Sequence, residues 1–407
     1  MLPILPFDIL IQIFQHLDPL YNNETSLIDT PSSSLALQRS LGSTLSLLSQ
    51  DWRPLGSRYL WTNFILSFAK ENSRKKLVLL IGNEEIAKQV KRLWIYANIH
   101  DVERAVGVPI EFLLPSVNSL HSLELTTTPS FAQRLFSQLD LSNSPDGNLA
   151  NLRHLTLDTS YAESPHYPSF LLGFLRRLPH LTSLKIMVQL SASGVLPPPP
   201  PTPAQSQPLR HLTSLNYLVS DTTFGQSPLA IPLLASLLEL VDPTPLTSLR
   251  ISSRSLPDTL SQFISSAPSL TSLKIASDRL TIERDLPLLL SPLPSLSRLS
   301  QFEIGILPAW TAPFHLLSNS PLVPLLFSTL TSCPILQSIS LDFDLTSHES
   351  QTREYLRRAW DGGRLRMFEW NAWTAVARER VEVTYERRDE GGWRREEEGN
   401  SIEIVGI

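Results

Sequence analysis

Leu246-Thr247-Ser248-Leu249-Arg250-Ile251 is followed by Leu270-Thr271-Ser272-Leu273-Lys274-Ile275 and preceded by Leu181-Thr182-Ser183-Leu184-Lys185-Ile186. The three phrases differ at one position only, the residue between the last two apolar ones. Apolar, polar, apolar alternation makes a short strand with one buried face. The first Leu, three residues earlier, folds beneath the same core. Looser copies begin at Leu120 and Leu152, and weaker ones at Val90, Leu212, Leu299, Leu336 and Leu365. The copy near Leu299 can also be registered on Leu296. Successive copies stand 24 to 37 residues apart.

Segments with helical spacing lie between the copies, such as Phe170 to Leu178, Leu234 to Val241 and Leu260 to Ile264. Pro179, Pro268 and Pro334 stand where each helix must stop before the next strand. One strand and one helix in a period of this size resembles the leucine-rich repeat. The expected fold class is therefore α/β. Residues 90–370 are expected to form an irregular leucine-rich-repeat solenoid, with parallel strands on the concave side and helices on the convex side. The plainer reading is a single α/β domain with Leu-rich strands. The repeats depart from the consensus: where an Asn is expected after the last apolar position stand Thr128, Ser160, Gln189, Ser220 and Asp278. Without an Asn ladder the turns are expected to be irregular. The run Pro197 to Pro203, with Thr202 inside it, reads as an extended, polyproline-like loop inserted between copies.

A different pattern opens the chain. Leu5-Pro6-Phe7-Asp8-Ile9-Leu10 continues through Ile13-Phe14 to Leu17-Asp18-Pro19. Pro6 suits a helix start, Asp8 suits the first turn, and Pro19 closes the element. The apolar set covers more than one helix face and needs a partner surface. This stretch resembles the first half of an F-box. Leu45 to Leu55, ending in Trp52-Arg53-Pro54-Leu55, and Leu60-Trp61 resemble its second half. An extra polar loop at about 21–40 separates the halves, and Gln50-Asp51 replaces a commonly basic pair. The expected organisation is a three-helix F-box over 1–65, linking helices over 66–89, and the repeats over 90–370. A charged strand hairpin or cap over 371–407 would follow. Residues 76–95 are similar to the segment joining F-box to repeats in many fungal proteins.

Composition narrows the classes. The chain has 407 residues, net charge −5, and a single cysteine, Cys333. One thiol excludes a disulfide framework and a thiolate zinc site, and suits a reducing compartment. The small net charge gives no reason to expect nucleic acid or membrane as a partner. The start lacks a basic leader, and the longest apolar stretch, Leu229 to Val241, is interrupted by Pro232 and Glu239. A cytoplasmic or nuclear protein is expected. The last 57 residues hold 11 Arg and 12 Asp or Glu. That tail therefore reads as solvated strand faces, with Val381, Val383, Tyr385, Ile402 and Ile404 alternating about Gly391-Gly392.

No catalytic constellation is evident. Phosphate-binding glycine loops, the Gly-x-Ser-x-Gly elbow and paired metalloprotease histidines are missing from the sequence. His121, His154 and His211 fall in repeat copies and read as surface; Asp342-Phe343-Asp344 is a weak cation motif. No enzyme activity, cofactor or metal is expected. The resemblance implies a substrate-recognition subunit of an SCF-type cullin-RING ubiquitin ligase. Its F-box would dock on a Skp-type adaptor, and through it a cullin, by Leu5, Pro6, Ile9, Leu10, Ile13, Phe14, Leu17, Trp52 and Trp61. The repeats would bind an unidentified protein substrate. The candidate surface is the residue between the last two apolar positions of each copy: Glu124, Thr156, Lys185, Asn216, Arg250, Lys274, Glu303, Ser340 and Glu369. Its central members, Lys185, Asn216, Arg250 and Lys274, suggest a partner with an acidic or phosphorylated segment. The competing reading is a leucine-rich-repeat scaffold without a ligase role.

Overall fold

The computed structural model describes residues 43, 56–57, 60–68, 73–97, 110–137, 149–159, 167–178, 180–189, 209–220, 230–306, 322–333, 335–341, 345, 349–362, 365–373, 380–387, 393–397 and 400–404. They divide into two compact units, Met1–Glu163 and Ser164–Ile407. Each is α/β, with a sheet whose strands follow one another in chain order. No helix among the described residues is long and apolar enough to cross a membrane.

The first unit contains β1 (Asn63–Ser67), β2 (Arg92–Ala97), β3 (Ser122–Thr127) and β4 (His154–Thr159), all parallel. Between them lie α1 (Ser73–Gly82), the one-turn helix Glu84–Ala87, and α2 (Pro129–Phe136). β1 is a strand in the segment assigned from sequence to the F-box end and linker. Trp61-Thr62-Asn63-Phe64-Ile65-Leu66 is a further copy of the repeat phrase, with Trp and Phe in place of Leu. Phe64 is in register with Leu93 and Leu66 with Ile95. The Thr62 carbonyl accepts from the N–H groups of Lys91 and Arg92.

The second unit contains seven parallel strands: β5 (Ser183–Gln189), β6 (Ser214–Ser220), β7 (Ser248–Ser252), β8 (Ser272–Ser277), β9 (Gln301–Ile306), β10 (Ser338–Leu341) and β11 (Met367–Trp373). β12 (Arg380–Arg387), β13 (Trp393–Glu397) and β14 (Asn400–Ile404) then add antiparallel. The expected C-terminal hairpin thus has a third strand. Helices α3 (Tyr167–Leu175), α4 (Ala230–Glu239), α5 (Leu260–Ser265), α6 (Arg279–Leu290), α7 (Leu322–Thr331) and α8 (Glu349–Gly362) lie between the strands in sequence. Every expected copy from Val90 to Leu365 supplies one strand. This strand-by-strand arrangement is compatible with a solenoid.

Three apolar columns make the core of the second unit. Leu184, Leu215, Leu249, Leu273, Phe302, Ile339 and Phe368 are in register and buried. Ile186, Tyr217, Ile251, Ile275, Ile304, Leu341 and Trp370 form the next column. The leading residues Leu181, Leu212, Leu246, Leu270, Leu299, Leu336 and Leu365 are buried beneath them. Each such aliphatic side chain contributes about 1.5–3 kcal/mol of transfer free energy. A further buried apolar position stands three residues before the leading one, at Leu178, Leu209, Ala267, Leu296 and Cys333. The N–H groups of Leu181, Leu270, Leu299 and Leu336 donate to the carbonyls of Leu178, Ala267, Leu296 and Cys333, closing a tight turn. This decides the register near Leu299: Leu299 leads its copy, and Leu296 is the turn residue before it.

Hydroxyl side chains supplement the main-chain bonds that tie neighbouring repeats together at the start of each strand. A Thr follows Leu181, Leu212, Leu246 and Leu270, and its carbonyl accepts two main-chain bonds. The Thr213 carbonyl accepts from the N–H groups of Thr247 and Ser248, and the Thr247 carbonyl from those of Thr271 and Ser272. The next side chain adds a third bond. Thr213 Oγ1 donates to the Thr182 carbonyl at 3.0 Å, Thr247 Oγ1 to the Thr213 carbonyl at 3.0 Å, and Thr271 Oγ1 to the Thr247 carbonyl at 2.9 Å. Ser300 Oγ continues the series, donating to the Thr271 carbonyl at 3.1 Å. Two of the residues that replace the consensus Asn cap helices instead. Thr128 Oγ1 accepts from Phe131 N at the start of α2, and Asp278 Oδ1 from Thr281 N at the start of α6.

Candidate interaction face

In a strand, residues two apart share a face. Because the Leu and Ile columns point into the core, the residues between them form a row on the opposite face of the sheet. Pairing aligns Lys185, Asn216, Arg250, Lys274, Glu303, Ser340 and Glu369 across β5 to β11. These are the second unit's members of the candidate surface read from the sequence. Neighbouring parallel strands are about 4.8 Å apart, so the Lys185 and Arg250 backbones are separated by about 9.6 Å.

The electrostatics of the row change sign within one strand step. Lys274 Nζ lies 2.6 Å from Glu303 Oε2, and both side chains are about 40% exposed, at 40% and 39%. An ion pair this open contributes at most about 1 kcal/mol to stability. Its larger effect is to neutralise Lys274 as seen from outside. Lys185 is half-buried, Arg250 is exposed, and neither has an ion-pair partner among the described residues. Asn216 stands between them with its Oδ1 covered and without a hydrogen-bond donor among the described residues.

Two residues further along each strand runs a second row that the sequence reading did not single out. Met187 aligns with Leu218, and Leu218 with Ser252; Ala276 and Gly305 follow. Met187 and Leu218 are half-buried, so an apolar shelf of two large side chains borders the Lys185–Arg250 part of the charged row. The signal was present in the sequence as the residue after each final apolar position. It was hidden because that position is chemically mixed from copy to copy.

In the first unit the equivalent row is covered at Glu124 and Thr156. There Glu124 aligns with Trp94 and Thr156, as the register predicts. Yet β3 is buried along its whole length, and Glu124 is only 2% exposed. Glu124 and Thr156 are therefore corrected from surface positions to covered ones.

Other sequence-derived candidates fall as follows. Leu5, Pro6, Ile9, Leu10, Ile13, Phe14, Leu17 and Trp52 lie outside the described residues, as do the loop at 21–40, the proline run at 197–203 and Asp342 to Asp344. Trp61 is half-buried and stacks on Phe64, with ring centroids 5.7 Å apart. His211 is exposed and stacks on His180 at 6.0 Å. Among the described residues, no group of three or more His, Cys, Asp or Glu is placed to hold a metal. Burial pushes the Cys333 thiol up to about 11, and its Sγ donates to the Thr329 carbonyl at 3.4 Å. Tyr217 is fully buried, its phenol is pushed upward by desolvation, and Oη has no hydrogen-bond partner among the described residues.

The row presents Lys185 and Arg250 as separate charges on one face of a sheet. The chain matches no family model, and no curated protein matches it.

Proposed function

We propose that this chain is the substrate-recognition subunit of an SCF-type cullin-RING ubiquitin ligase. In this reading the F-box-like segment at 5–65 docks on a Skp-type adaptor, and the strands from Val90 to Leu365 form a leucine-rich-repeat solenoid. Its concave face captures a protein substrate, in the cytoplasm or nucleus. The observation that carries the reading is the conjunction of two patterns. An F-box-like apolar stretch opens the sequence, and every later Leu-x-x-Leu-x-(Leu/Ile) phrase supplies one strand of a sheet in chain order. The chain would transfer no ubiquitin itself. It would raise the effective concentration of substrate lysines at a ubiquitin-loaded conjugating enzyme, an acceleration by proximity.

The test uses the full chain and a purified Skp-type adaptor. Ile9→Asp and Phe14→Asp would each bury an unpaired charge in the adaptor contact, costing several kcal/mol, about 3 or more. Calorimetric binding is expected for the wild type and is expected to vanish in both variants, with an unchanged circular dichroism spectrum. An absence of wild-type binding, or variants that bind like wild type, would overturn the ligase assignment and favour the scaffold reading.

A further inference from the structure

The sheet of the second unit reads out a particular kind of segment. We infer that the strip over β5 to β7 binds an extended acidic peptide with the pattern acidic–apolar–acidic, its side groups being carboxylates. The inference rests on the proposed function only in taking this face as the one that meets the substrate.

Four observations carry it. Lys185 and Arg250 lie on one side of the strip, on strands two steps apart, with no ion pair among the described residues to neutralise them. Met187 and Leu218 lie two residues further along the same or the intervening strand, about 6.6 Å away along the strand direction. Asn216 fills the step between the two cations with a side chain that carries no charge. Lys274, which would have been the third cation, is held by Glu303 at 2.6 Å.

An extended peptide running across the strands between these two rows sends alternate side chains to opposite sides. Residues i and i+2 then face the charged row and are about 6.8 Å apart. Lys185 and Arg250 have backbones about 9.6 Å apart, and both carry long flexible stems that close this difference. Residue i+1 faces Met187 and Leu218. Met adapts its shape to a varied apolar partner. The separation also decides between carboxylate and phosphate. A phosphate dianion is best held by donors converging on one point. Here the two cations are spread over two strand steps with a neutral residue between them. Two singly charged groups match that spread better than one doubly charged group. The Lys274–Glu303 pair sets the limit of the strip, because beyond β7 it presents no further uncompensated cation to an acidic segment.

The experiment probes the full chain with an array of short peptides in a Gly-Ser background. Their three central positions are varied through all twenty residues and phosphoserine. Binding of the best peptide is then measured by fluorescence anisotropy. Selection for Asp or Glu at the first and third varied positions, and for Leu, Ile, Met or Val at the second, is expected. Lys185→Glu and Arg250→Glu should each weaken the best peptide by about tenfold or more, and a Lys-for-Glu exchange in the peptide should recover binding to Arg250→Glu. Glu303→Gln should do the reverse: it frees Lys274 and tightens binding by a few-fold, a gain that a damaged fold could not produce. Selection of phosphoserine over Asp and Glu, no acidic preference, or affinities that ignore all three substitutions would overturn the inference. Adaptor binding measured on the same preparations separates the two proposals. Loss of peptide selection with intact adaptor binding sinks this one alone, and the converse sinks only the ligase assignment.

Discussion

Tyr217→Phe should stabilise the second unit. Tyr217 stands between Ile186 and Ile251 in its column, is fully buried, and carries a hydroxyl with no hydrogen-bond partner among the described residues. Leaving a buried polar group unpaired costs about 1–3 kcal/mol. Removing the oxygen recovers that cost and forfeits the dispersion contacts of one atom, about 0.5 kcal/mol. The net gain is about 1 kcal/mol. For a unit spanning Ser164–Ile407, a gain of this size raises Tm by about 2–4 °C. The measurement is thermal unfolding followed by circular dichroism, with urea unfolding at fixed temperature as a second reading. Ser253→Ala is a companion, because Ser253 is also fully buried and its Oγ has no partner among the described residues. The same sign is expected there. An unchanged or lowered Tm for Tyr217→Phe would refute the reasoning, since it would mean that Oη is satisfied, for example by an enclosed water.

Two further outcomes follow from the same packing. Burial favours the neutral thiol of Cys333, so its stabilising contribution is complete below the unfolded thiol pKa and is lost as pH rises toward about 11; iodoacetamide at pH 8 should label it slowly in the native chain and quickly in urea. Replacing Thr213, Thr247 and Thr271 together by Val removes three hydroxyl bonds to carbonyls that already accept main-chain bonds; urea unfolding should show a loss of about 1–2 kcal/mol in all, well below the cost of unpairing three buried groups.

The legible part of this fold was the part where chemistry and period coincide. Leu at the leading position and Leu or Ile on the strand are demanded by one buried column each, so they repeat in kind as well as in spacing. The β1 copy escaped because the aromatic Trp61 and Phe64 stand where the other copies have Leu. The upstream turn position escaped because Leu296, Ala267 and Cys333 share only burial, and a search for one residue type cannot see burial. The absence of the consensus Asn suggested slack turns. At the other end of each strand, main-chain bonds to the Thr carbonyls of Leu-Thr-Ser-Leu, supplemented by Thr hydroxyls, tie neighbouring repeats together. The candidate face was legible residue by residue but not pair by pair. Periodicity placed Lys274 and Glu303 in one row, yet only the strand register brings them to 2.6 Å, and that contact turns three cations into two. The same limit applies to Glu124. Its place in the row followed from spacing, whereas its burial depends on what lies over β3, which no repeat phrase encodes. Sequence periodicity therefore determines which residues share a face. Whether that face is open, and whether its charges are already spent on one another, is settled by tertiary neighbours.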